Sequence, residues 1–184
     1  KNNPEGKAMG VALAYDSRNM SSEFAEMSAL VLNANGIKAY VFDELRPTPE
    51  LSFAVRHLGC TAGIVVTASH NPPEYNGYKV YWADGAQVVA PKDEGIISEV
   101  NSITDFSAIK MMDKAEAVKN GLFNVVGKEI DDAFVENIKK QAVRPEEVIK
   151  AKDMKIVYTP LHGAGNKNVR RVLAEVGFEN VYVV

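Results

Sequence analysis

Three side chains that could carry out group transfer lie close together in the sequence of this 184-residue chain. Ser69 offers a hydroxyl nucleophile, His70 an imidazole and Lys79 an ammonium group. They follow residues 63–66, an apolar run with the length of a buried strand. Open α/β sheets bind ligands just beyond the carboxyl ends of their strands. Residues 67–79 therefore predict a reaction centre, although a serine by itself is a common loop residue.

The elements that must position this segment alternate between strands and helices. Residues 10–15, 37–42 and 62–67 are apolar and of strand length, with helical patterns between them. This alternation predicts parallel pairing with right-handed crossovers. Arg18 follows the first strand, so it is expected to lie beside the loop that follows the third strand.

Both helices between these strands carry start signals. Ser21 or Ser22 is the predicted N-cap of the first helix, because a serine hydroxyl can accept from a free first-turn amide. The second is expected to begin with Thr48 as its cap and Pro49 at its first position. The predicted apolar face of the first helix consists of Phe24, Met27, Leu30 and Val31.

The pattern changes after Lys79. Residues 79–82 and 87–89 flank Asp84-Gly85, which predicts an antiparallel hairpin at one edge of the sheet. A helix over residues 91–103 follows, and residues 104–128 are poorly patterned, so we expect the domain connection there. A helix over residues 130–142 and a strand–helix–strand unit within residues 154–184 complete the chain.

Four segments resemble the α-D-phosphohexomutases, the phosphoglucomutase/phosphomannomutase superfamily. Residues 67–72 (Thr-Ala-Ser-His-Asn-Pro) look like its phosphoserine loop, and residues 76–79 (Asn-Gly-Tyr-Lys) look like the continuation that ends in a catalytic-site lysine. Residues 15–18 (Tyr-Asp-Ser-Arg) resemble its first strand ending, and residues 158–163 resemble the corresponding ending in its second domain. All four occur in the expected order, so the resemblance spans nearly the whole chain.

The resemblance implies an α/β fold and a chain that is a piece of a larger protein. We expect a three-layer α/β/α domain over residues 1–115, built on a mainly parallel mixed sheet with the antiparallel edge hairpin. Residues 116–184 would begin a second, similar domain. The family's Gly-Thr-x-Gly-x-Arg segment, its Asp-Gly-Asp-x-Asp-Arg metal loop and its third- and fourth-domain sugar and phosphate sites are absent. These missing parts of the parent chain are the expected partners of the piece.

The resemblance also implies a chemistry. Ser69 would be carried as a phosphoserine that exchanges its phosphoryl group with a hexose phosphate through a bisphosphate intermediate. His70 and Lys79 would be the other catalytic residues. Mg²⁺, the implied cofactor, would bind one oxygen of the Ser69 phosphate and aspartates outside this chain. The residues implied in substrate or phosphate binding are Arg18, Asn71 and His162.

Several roles stay open. His70 could cradle the phosphate or assist proton transfer, or it could hold the loop through hydrogen bonds. Lys79 could act as a general acid or base, or anchor the transferring phosphate. Arg18 could support the phosphate bidentately, or it could pair with Asp16 to cap the sheet. Asn71 belongs to a proline-rich turn that would aim Ser69 outward.

Composition narrows the class of protein. Hydrophobic residues make up 46% of the chain, which is typical of a globular protein. The net charge of −3 argues against a general nucleic-acid binder. The single cysteine, Cys60, cannot form an intramolecular disulfide, which favours a reducing compartment and a cytoplasmic location. No apolar run approaches the roughly 20 residues that a bilayer requires, so a membrane is not an expected partner.

Rival functions remain. Glucose phosphate is the favoured substrate, with mannose, N-acetylglucosamine and pentose phosphates as alternatives. A regulatory relative that binds phosphosugar without turnover is a second class, but such a protein has no need of the phosphoryl acceptor Ser69. A serine hydrolase built on Ser69 and His70 is a third class. Adjacent residues do not by themselves make a nucleophile–base pair, and the Gly-x-Ser-x-Gly elbow is missing.

Overall fold

The structure is a computed structural model that describes residues 4–184. It divides into two compact units, the first ending at Val126 and the second running over Gly127–Val184. The predicted division between residues 115 and 116 lies earlier, within a short helix of the first unit. As a boundary between domains it stays a prediction, and residues 1–3 of that predicted domain lie outside the described part.

The first unit contains five strands and five α-helices within the described residues, and its longest helix has 14 residues. Within residues 4–184, no helix is long and apolar enough to cross a membrane. The elements are α1 (Pro4–Met9), β1 (Val11–Tyr15), α2 (Ser21–Ala34), β2 (Ala39–Phe42), α3 (Thr48–His57), β3 (Ala62–Val66), β4 (Tyr78–Trp82), α4 (Lys92–Asn101), a 3₁₀ turn (Phe106–Ala108), α5 (Lys114–Lys119) and β5 (Phe123–Val126).

The five strands form one mixed sheet in the order β4-β3-β1-β2-β5. β1, β2, β3 and β5 are parallel, and β4 pairs with β3 in the antiparallel direction. The predicted parallel core and antiparallel edge are therefore confirmed. β5 pairs with β2, which explains why the first compact unit extends through residues that the sequence patterns assign to a connection.

Helices cover both faces of this sheet and make the fold three-layered. On one face, small residues of α2, Ala25 and Ala29, pack with Leu30 against Val11 and Leu13 of β1. On the other face, a side chain at Gly63 of β3 would come within 2.5 Å of Val55 in α3. The absence of a side chain at this position therefore allows α3 to approach the sheet closely.

The buried face of α2 differs from the predicted one. Leu30 is buried as expected, but Phe24 and Met27 are 42% and 50% exposed. The fully buried positions are instead Ser21, Ala25, Ala29 and Asn33. Small residues bring the helix backbone close to the sheet, so the largest apolar side chains do not mark the buried face here.

The predicted side-chain caps are wrong. The N-cap position of α2 is Met20, in the left-handed region at φ 63°, and it makes no side-chain cap bond. The N-cap position of α3 is Pro47, so Thr48 is already helical. Ser21 uses its hydroxyl elsewhere, as a donor to Asp16. The sequence signals thus locate the helix starts to within a residue or two, but they do not identify the capping interactions.

The edge hairpin is only partly formed as predicted. β4 is the one regular arm, and the expected second arm makes a single bridge between Tyr81 and Gln87. The turn between them closes through a hydrogen bond from Trp82 N to the carbonyl of Ala86. Gly85 has φ 78°, as the predicted Asp-Gly turn requires.

The second unit has a parallel pair of strands and three helices within its described residues. Ion pairs from Arg171 to Asp132 (2.6 Å) and from Lys139 to Glu175 (3.1 Å) join the first of these helices to the last. Its strand–helix–strand order matches the predicted start of a second α/β domain. The elements are α6 (Lys128–Lys139), α7 (Pro145–Lys150), β6 (Lys155–Tyr158), α8 (Asn166–Val176) and β7 (Asn180–Val183).

Candidate active site

The carboxyl ends of β1 and β3 lie side by side, as predicted. Tyr15 pairs with Val66 at the last step of their ladder, and the amide of Asp16 donates to the carbonyl of Val66 at 3.2 Å. The loop after β1, residues 16–20, is therefore next to the loop after β3, residues 67–77. Burial raises the pKa of the Tyr15 phenol most, and the negative charge of Asp43 raises it further. This tyrosine at the end of β1 therefore stays neutral.

Ser69 lies at the tip of a tight turn that begins directly after β3. Its amide donates to the hydroxyl of Thr67 at 3.1 Å, while Thr67 and Ala68 are themselves buried. Ser69 is exposed and has φ 53°, a left-handed backbone conformation that is uncommon for a residue other than glycine. Such a conformation persists only where the surroundings hold it, and it is enriched at functional sites.

Lys79 reaches the serine from the neighbouring strand. Its Nζ atom donates a hydrogen bond to Ser69 Oγ at 2.6 Å. Lys79 pairs with Val65 in the antiparallel β3–β4 ladder, so the chain returns past its own loop and brings residue 79 back to residue 69. An ammonium group at this distance can neutralise negative charge that develops on the serine oxygen.

Gly77 sets where β4 begins. A Cβ atom at this position would lie 2.5 Å from the carbonyl oxygen of Thr67. The carbonyl of Gly77 accepts a hydrogen bond from the Thr67 amide at 3.0 Å. The two strand ends can therefore approach each other only because residue 77 has no side chain, and this approach fixes the position of Lys79.

Arg18 contacts the serine loop through the main chain. Its two Nη atoms donate to four carbonyl oxygens, those of Ser69, Asn71, Pro72 and Tyr75, at 2.6–3.0 Å. Its Nε atom lies 3.4 Å from a carboxylate oxygen of Asp16, the ion pair that is one of its two predicted roles. The other predicted role, a bidentate phosphate contact, would require these carbonyl bonds to break.

His70 and Asn71 continue the loop as exposed residues. The imidazole of His70 makes no hydrogen bond to any residue within 4–184, so a loop-holding role for it has no support in the geometry. Asn71 contributes its main chain, since its amide donates to Ala68 and its carbonyl accepts from Arg18. That is the turn role expected for Asn71, and its amide side chain stays exposed for a ligand.

His162 belongs to a different part of the fold. It lies in the second unit, in an exposed turn between β6 and α8, whereas the other predicted site residues lie in the first unit. Leu161, its neighbour, has φ 47°, so this turn also holds a non-glycine residue in the left-handed region. Its assignment to substrate binding remains a prediction.

Two residues of the site, Asn76 and Ser21, make contacts that the sequence does not reveal. Asn76 donates through Nδ2 to the Ser21 hydroxyl at 2.9 Å and to the carbonyl of Asn19 at 3.3 Å. Ser21 in turn donates to Asp16 at 2.8 Å. The local pattern around Ser21 predicts a helix cap and cannot show this contact, because its partner Asn76 is distant in sequence.

The described residues do not by themselves fit a magnesium site. Within residues 4–184 there is no group of three His, Cys, Asp or Glu side chains that could hold a metal ion. Asp131 and Asp132 are adjacent, but they contact different cations, Lys167 at 3.4 Å and Arg171 at 2.6 Å. A hard dication prefers six oxygen ligands, and a phosphate on Ser69 would supply few of them.

Comparison with known proteins identifies the family. The sequence model described as phosphoglucomutase/phosphomannomutase, alpha/beta/alpha domain I, matches residues 1–106. This chain belongs to the phosphoglucomutase/phosphomannomutase family. The match covers the whole of the sheet edge formed by β3 and β4, including Ser69 and Lys79.

Curated relatives within the family carry several names. A phosphoglucomutase of Staphylococcus haemolyticus is 37% identical over 95% of this chain. A probable phosphoribomutase of Schizosaccharomyces pombe is 38% identical over 88%, and a probable phosphomannomutase of Haemophilus influenzae is 34% identical over 97%. The chain spans about a third of the length of these relatives, with coverages of 31%, 27% and 35%.

A solved structure shows the same fold. The putative phosphomannomutase from Thermus thermophilus superposes with a TM-score of 0.79 and 26% identity, over 95% of this chain and 36% of that one. The family and its fold are therefore established for this chain. The names of the curated relatives differ in the sugar phosphate that they specify.

Proposed function

We propose that this chain is the phosphoryl-carrying part of a phosphohexomutase that moves phosphate between C1 and C6 of a hexose phosphate, with glucose phosphate as the favoured substrate. One observation carries the proposal: Lys79 Nζ lies 2.6 Å from Oγ of the exposed Ser69. A serine is a weak nucleophile unless a neighbouring group activates it or it is already phosphorylated. The paired ammonium suits a serine that alternately receives and releases a phosphoryl group.

In the forward step, a phosphorylated Ser69 donates to a sugar hydroxyl. The bond between phosphorus and Ser69 Oγ breaks, and a bond from phosphorus to the sugar oxygen forms as that hydroxyl passes its proton to a general base, for which His70 is the candidate in this chain. Negative charge develops on Oγ as it leaves, and Lys79 is placed to stabilise it and to give it a proton. Phosphoryl transfer depends mainly on such positioning and charge neutralisation.

In the return step, the bisphosphate presents its other phosphoryl group to Ser69. The serine oxygen attacks phosphorus, its proton passes to Lys79, and the bond to the second sugar oxygen breaks as that oxygen takes up the proton that the general base received in the forward step. The sum of both steps is an isomerisation that leaves the serine phosphorylated as at the start. His70 is exposed and follows the serine in the chain, and we expect it to contact the transferring phosphate or the incoming hydroxyl.

Mg²⁺ is expected from the family resemblance and would neutralise phosphate charge. Since the described residues do not complete its coordination, most of its ligands would have to come from outside this chain, and no step above passes through it.

The relatives' names favour a second substrate class. Relatives in Schizosaccharomyces pombe and Homo sapiens are named a probable phosphoribomutase and a phosphopentomutase, at 38% and 33% identity. A pentose phosphate is therefore the main alternative to glucose phosphate for the parent protein. Competition between the two sugar phosphates in one assay would separate these substrates.

The carrier role is tested on the full-length protein that contains this chain. Intact-mass and peptide mass spectrometry should find substoichiometric phosphate on Ser69 as isolated, which a hexose bisphosphate raises. Ser69→Ala should abolish both the phosphopeptide and mutase turnover. Ser102→Ala is the matched control, at an exposed serine beyond the end of α4 whose hydroxyl donates to the carbonyl of Glu99. Turnover retained by Ser69→Ala would overturn the carrier role.

A further inference from the structure

We propose that Arg18 is a positioning residue that holds the main chain of the Ser69 loop and so aims the serine at Lys79. The proposal rests on the proposed function for the role of Ser69, but its structural part can be tested separately. The key observation is that one guanidinium group binds four carbonyl oxygens of residues 69–75. We call this arrangement the carbonyl clamp.

The clamp uses all four N–H donors on the two Nη atoms of the side chain. A guanidinium has five N–H donors in a fixed plane. Four are directed to the carbonyls of Ser69 (3.0 Å), Asn71 (2.6 Å), Pro72 (2.7 Å) and Tyr75 (3.0 Å). The fifth, on Nε, faces Asp16 at 3.4 Å. Arg18 therefore has no Nη donor left for a bidentate phosphate contact while the loop keeps this conformation.

Asp16 fixes the guanidinium in turn. Its Oδ1 atom accepts from the Arg18 amide at 3.0 Å and from the Ser21 hydroxyl at 2.8 Å. Only 12% of the Arg18 side chain and 15% of the Asp16 side chain are exposed. The clamp is thus part of the packed end of β1, which makes it a rigid support for a loop that would otherwise be mobile.

A second contact holds the other end of the loop. Asn76 bonds Ser21 and the carbonyl of Asn19, so the exit of the loop into β4 is attached to the same segment that presents Arg18. Residues 69–76 are consequently held at both ends by the loop after β1. This arrangement fixes the distance between the serine turn and the strand that carries Lys79.

The clamp also explains how the loop can accept a phosphate. Carbonyl oxygens carry partial negative charge and would repel a phosphoryl group. Four of them accept hydrogen bonds from the positively charged Arg18, which offsets their partial negative charge. Arg18 stabilises the left-handed backbone of Ser69 as well, because the carbonyl of that residue is one of the four acceptors.

The test compares Arg18→Lys with the wild type in the full-length, dephosphorylated protein. A lysine keeps the charge, but its single nitrogen cannot reach four carbonyls in a plane. Amide hydrogen exchange of Asn71 and Tyr75 should become about tenfold faster, whereas exchange in β1 and β3 should not change. Arg56→Lys is the control, since Arg56 is an exposed arginine of the same unit with one carbonyl bond.

Kinetics of the same variants give the second readout. Arg18→Lys should lower kcat about 100-fold, the size of effect expected when a reacting group is misplaced by about 1 Å, with KM for the sugar phosphate almost unchanged. Asp16→Asn, which keeps the side-chain shape, should show a smaller change in both readouts. If amide exchange in β1 and β3 becomes faster in one of these variants, that variant has a folding defect. The other variant then decides whether Arg18 holds the loop.

The alternative is that Arg18 binds the phosphate directly. In that case Arg18→Lys would leave hydrogen exchange in the dephosphorylated loop unchanged and would loosen only the phosphorylated form, which overturns the clamp. Unchanged kcat with unchanged exchange would overturn it too. If the wild type proves to have neither phosphoserine nor turnover, the proposed function fails, while the exchange experiment still decides whether Arg18 holds the loop.

Discussion

The reacting unit that we propose at the scale of residues is a pair, Ser69 and Lys79, rather than a serine alone. Ser69 is exposed and carries the strained backbone, whereas Lys79 is half-buried and anchored in a strand. The cation is therefore the fixed partner, against which the serine oxygen is positioned at 2.6 Å. This division suits a group that must hand phosphate to a substrate and receive it again.

Replacing the cation should slow the reaction without unfolding the protein. Lys79→Ala in the full-length enzyme should lower turnover at least about tenfold, which corresponds to about 1.4 kcal/mol of lost transition-state stabilisation. Steady-state kinetics with a bisphosphate primer, and circular dichroism for the fold, would measure this. Lys110→Ala, at an exposed lysine of the same unit, is the control. If the Lys79→Ala enzyme has the wild-type kcat and KM, Lys79 has no catalytic role and is an ordinary strand lysine.

At this scale, the sequence identifies the residues of the site better than it identifies the contacts that they make. Ser69, His70 and Lys79 stand out because a polar segment with three reactive side chains follows a buried strand. The contacts of Arg18 could not be predicted in the same way. Its partners are carbonyl oxygens, which every residue has, so no pattern of side chains marks them. The prediction for Ser21 is wrong for a related reason, since its partner Asn76 is distant in sequence.

At the scale of elements, the antiparallel strand β4 is what assembles the site. Side chains along a strand alternate between the two faces of a sheet, so a shift of one residue would exchange Lys79 for Tyr78 or Val80. The register places Lys79 opposite Val65 and Tyr78 opposite Val66. Gly77 secures this register, because the carbonyl of Thr67 occupies the space that a side chain would need.

Gly77→Ala should therefore disturb the site and the strand together. The new Cβ would meet a backbone atom, which cannot rotate away, so we expect a loss of about 1–3 kcal/mol in the free energy of unfolding. Gly95→Ala is a matched control in α4, where a Cβ meets no atom within 4 Å and a gain of about 0.5–1 kcal/mol is expected. Urea unfolding of this chain measures both. Equal stabilities for the two variants would show that β4 tolerates a shift at residue 77.

Strand positions, parallel pairing and the antiparallel edge could be predicted from apolar runs and turn signals. The buried face of α2 could not, because alanines face the sheet while Phe24 and Met27 are exposed, contrary to their hydrophobicity. β5 escapes prediction for a different reason. Its four residues include Asn124 and an exposed Val125, and only pairing with β2 makes this short segment a strand.

For the whole molecule, the chain covers about a third of the length of its curated relatives, and we propose that it holds one side of a reaction. It supplies the serine, its cation and the clamp, all within the first compact unit. Within residues 4–184 it offers no three-ligand metal cluster. We therefore expect the activity of the parent protein to require groups that this chain does not supply.

This chain alone should have no mutase activity and should bind Mg²⁺ only weakly. A dication needs several convergent oxygens, and transfer needs a sugar phosphate held in line with the serine. Calorimetric titration with Mg²⁺ and an assay of glucose 1-phosphate conversion with a bisphosphate primer test both expectations. The full-length protein under identical conditions is the positive control. Measurable turnover by the 184-residue chain would show that this account of the site is wrong.

The carbonyl clamp has an evolutionary consequence. Arg18 recognises main-chain oxygens in the loop, so the loop can keep its shape while the side chains of residues 70, 71, 74 and 75 change. A lineage could alter what surrounds the reactive serine by single substitutions without first redesigning its support. In such a scaffold, the contacts that hold the loop are separate from the side chains that recognise a ligand. Enzymes that act on different sugars could therefore diverge from one ancestor while the loop keeps its support.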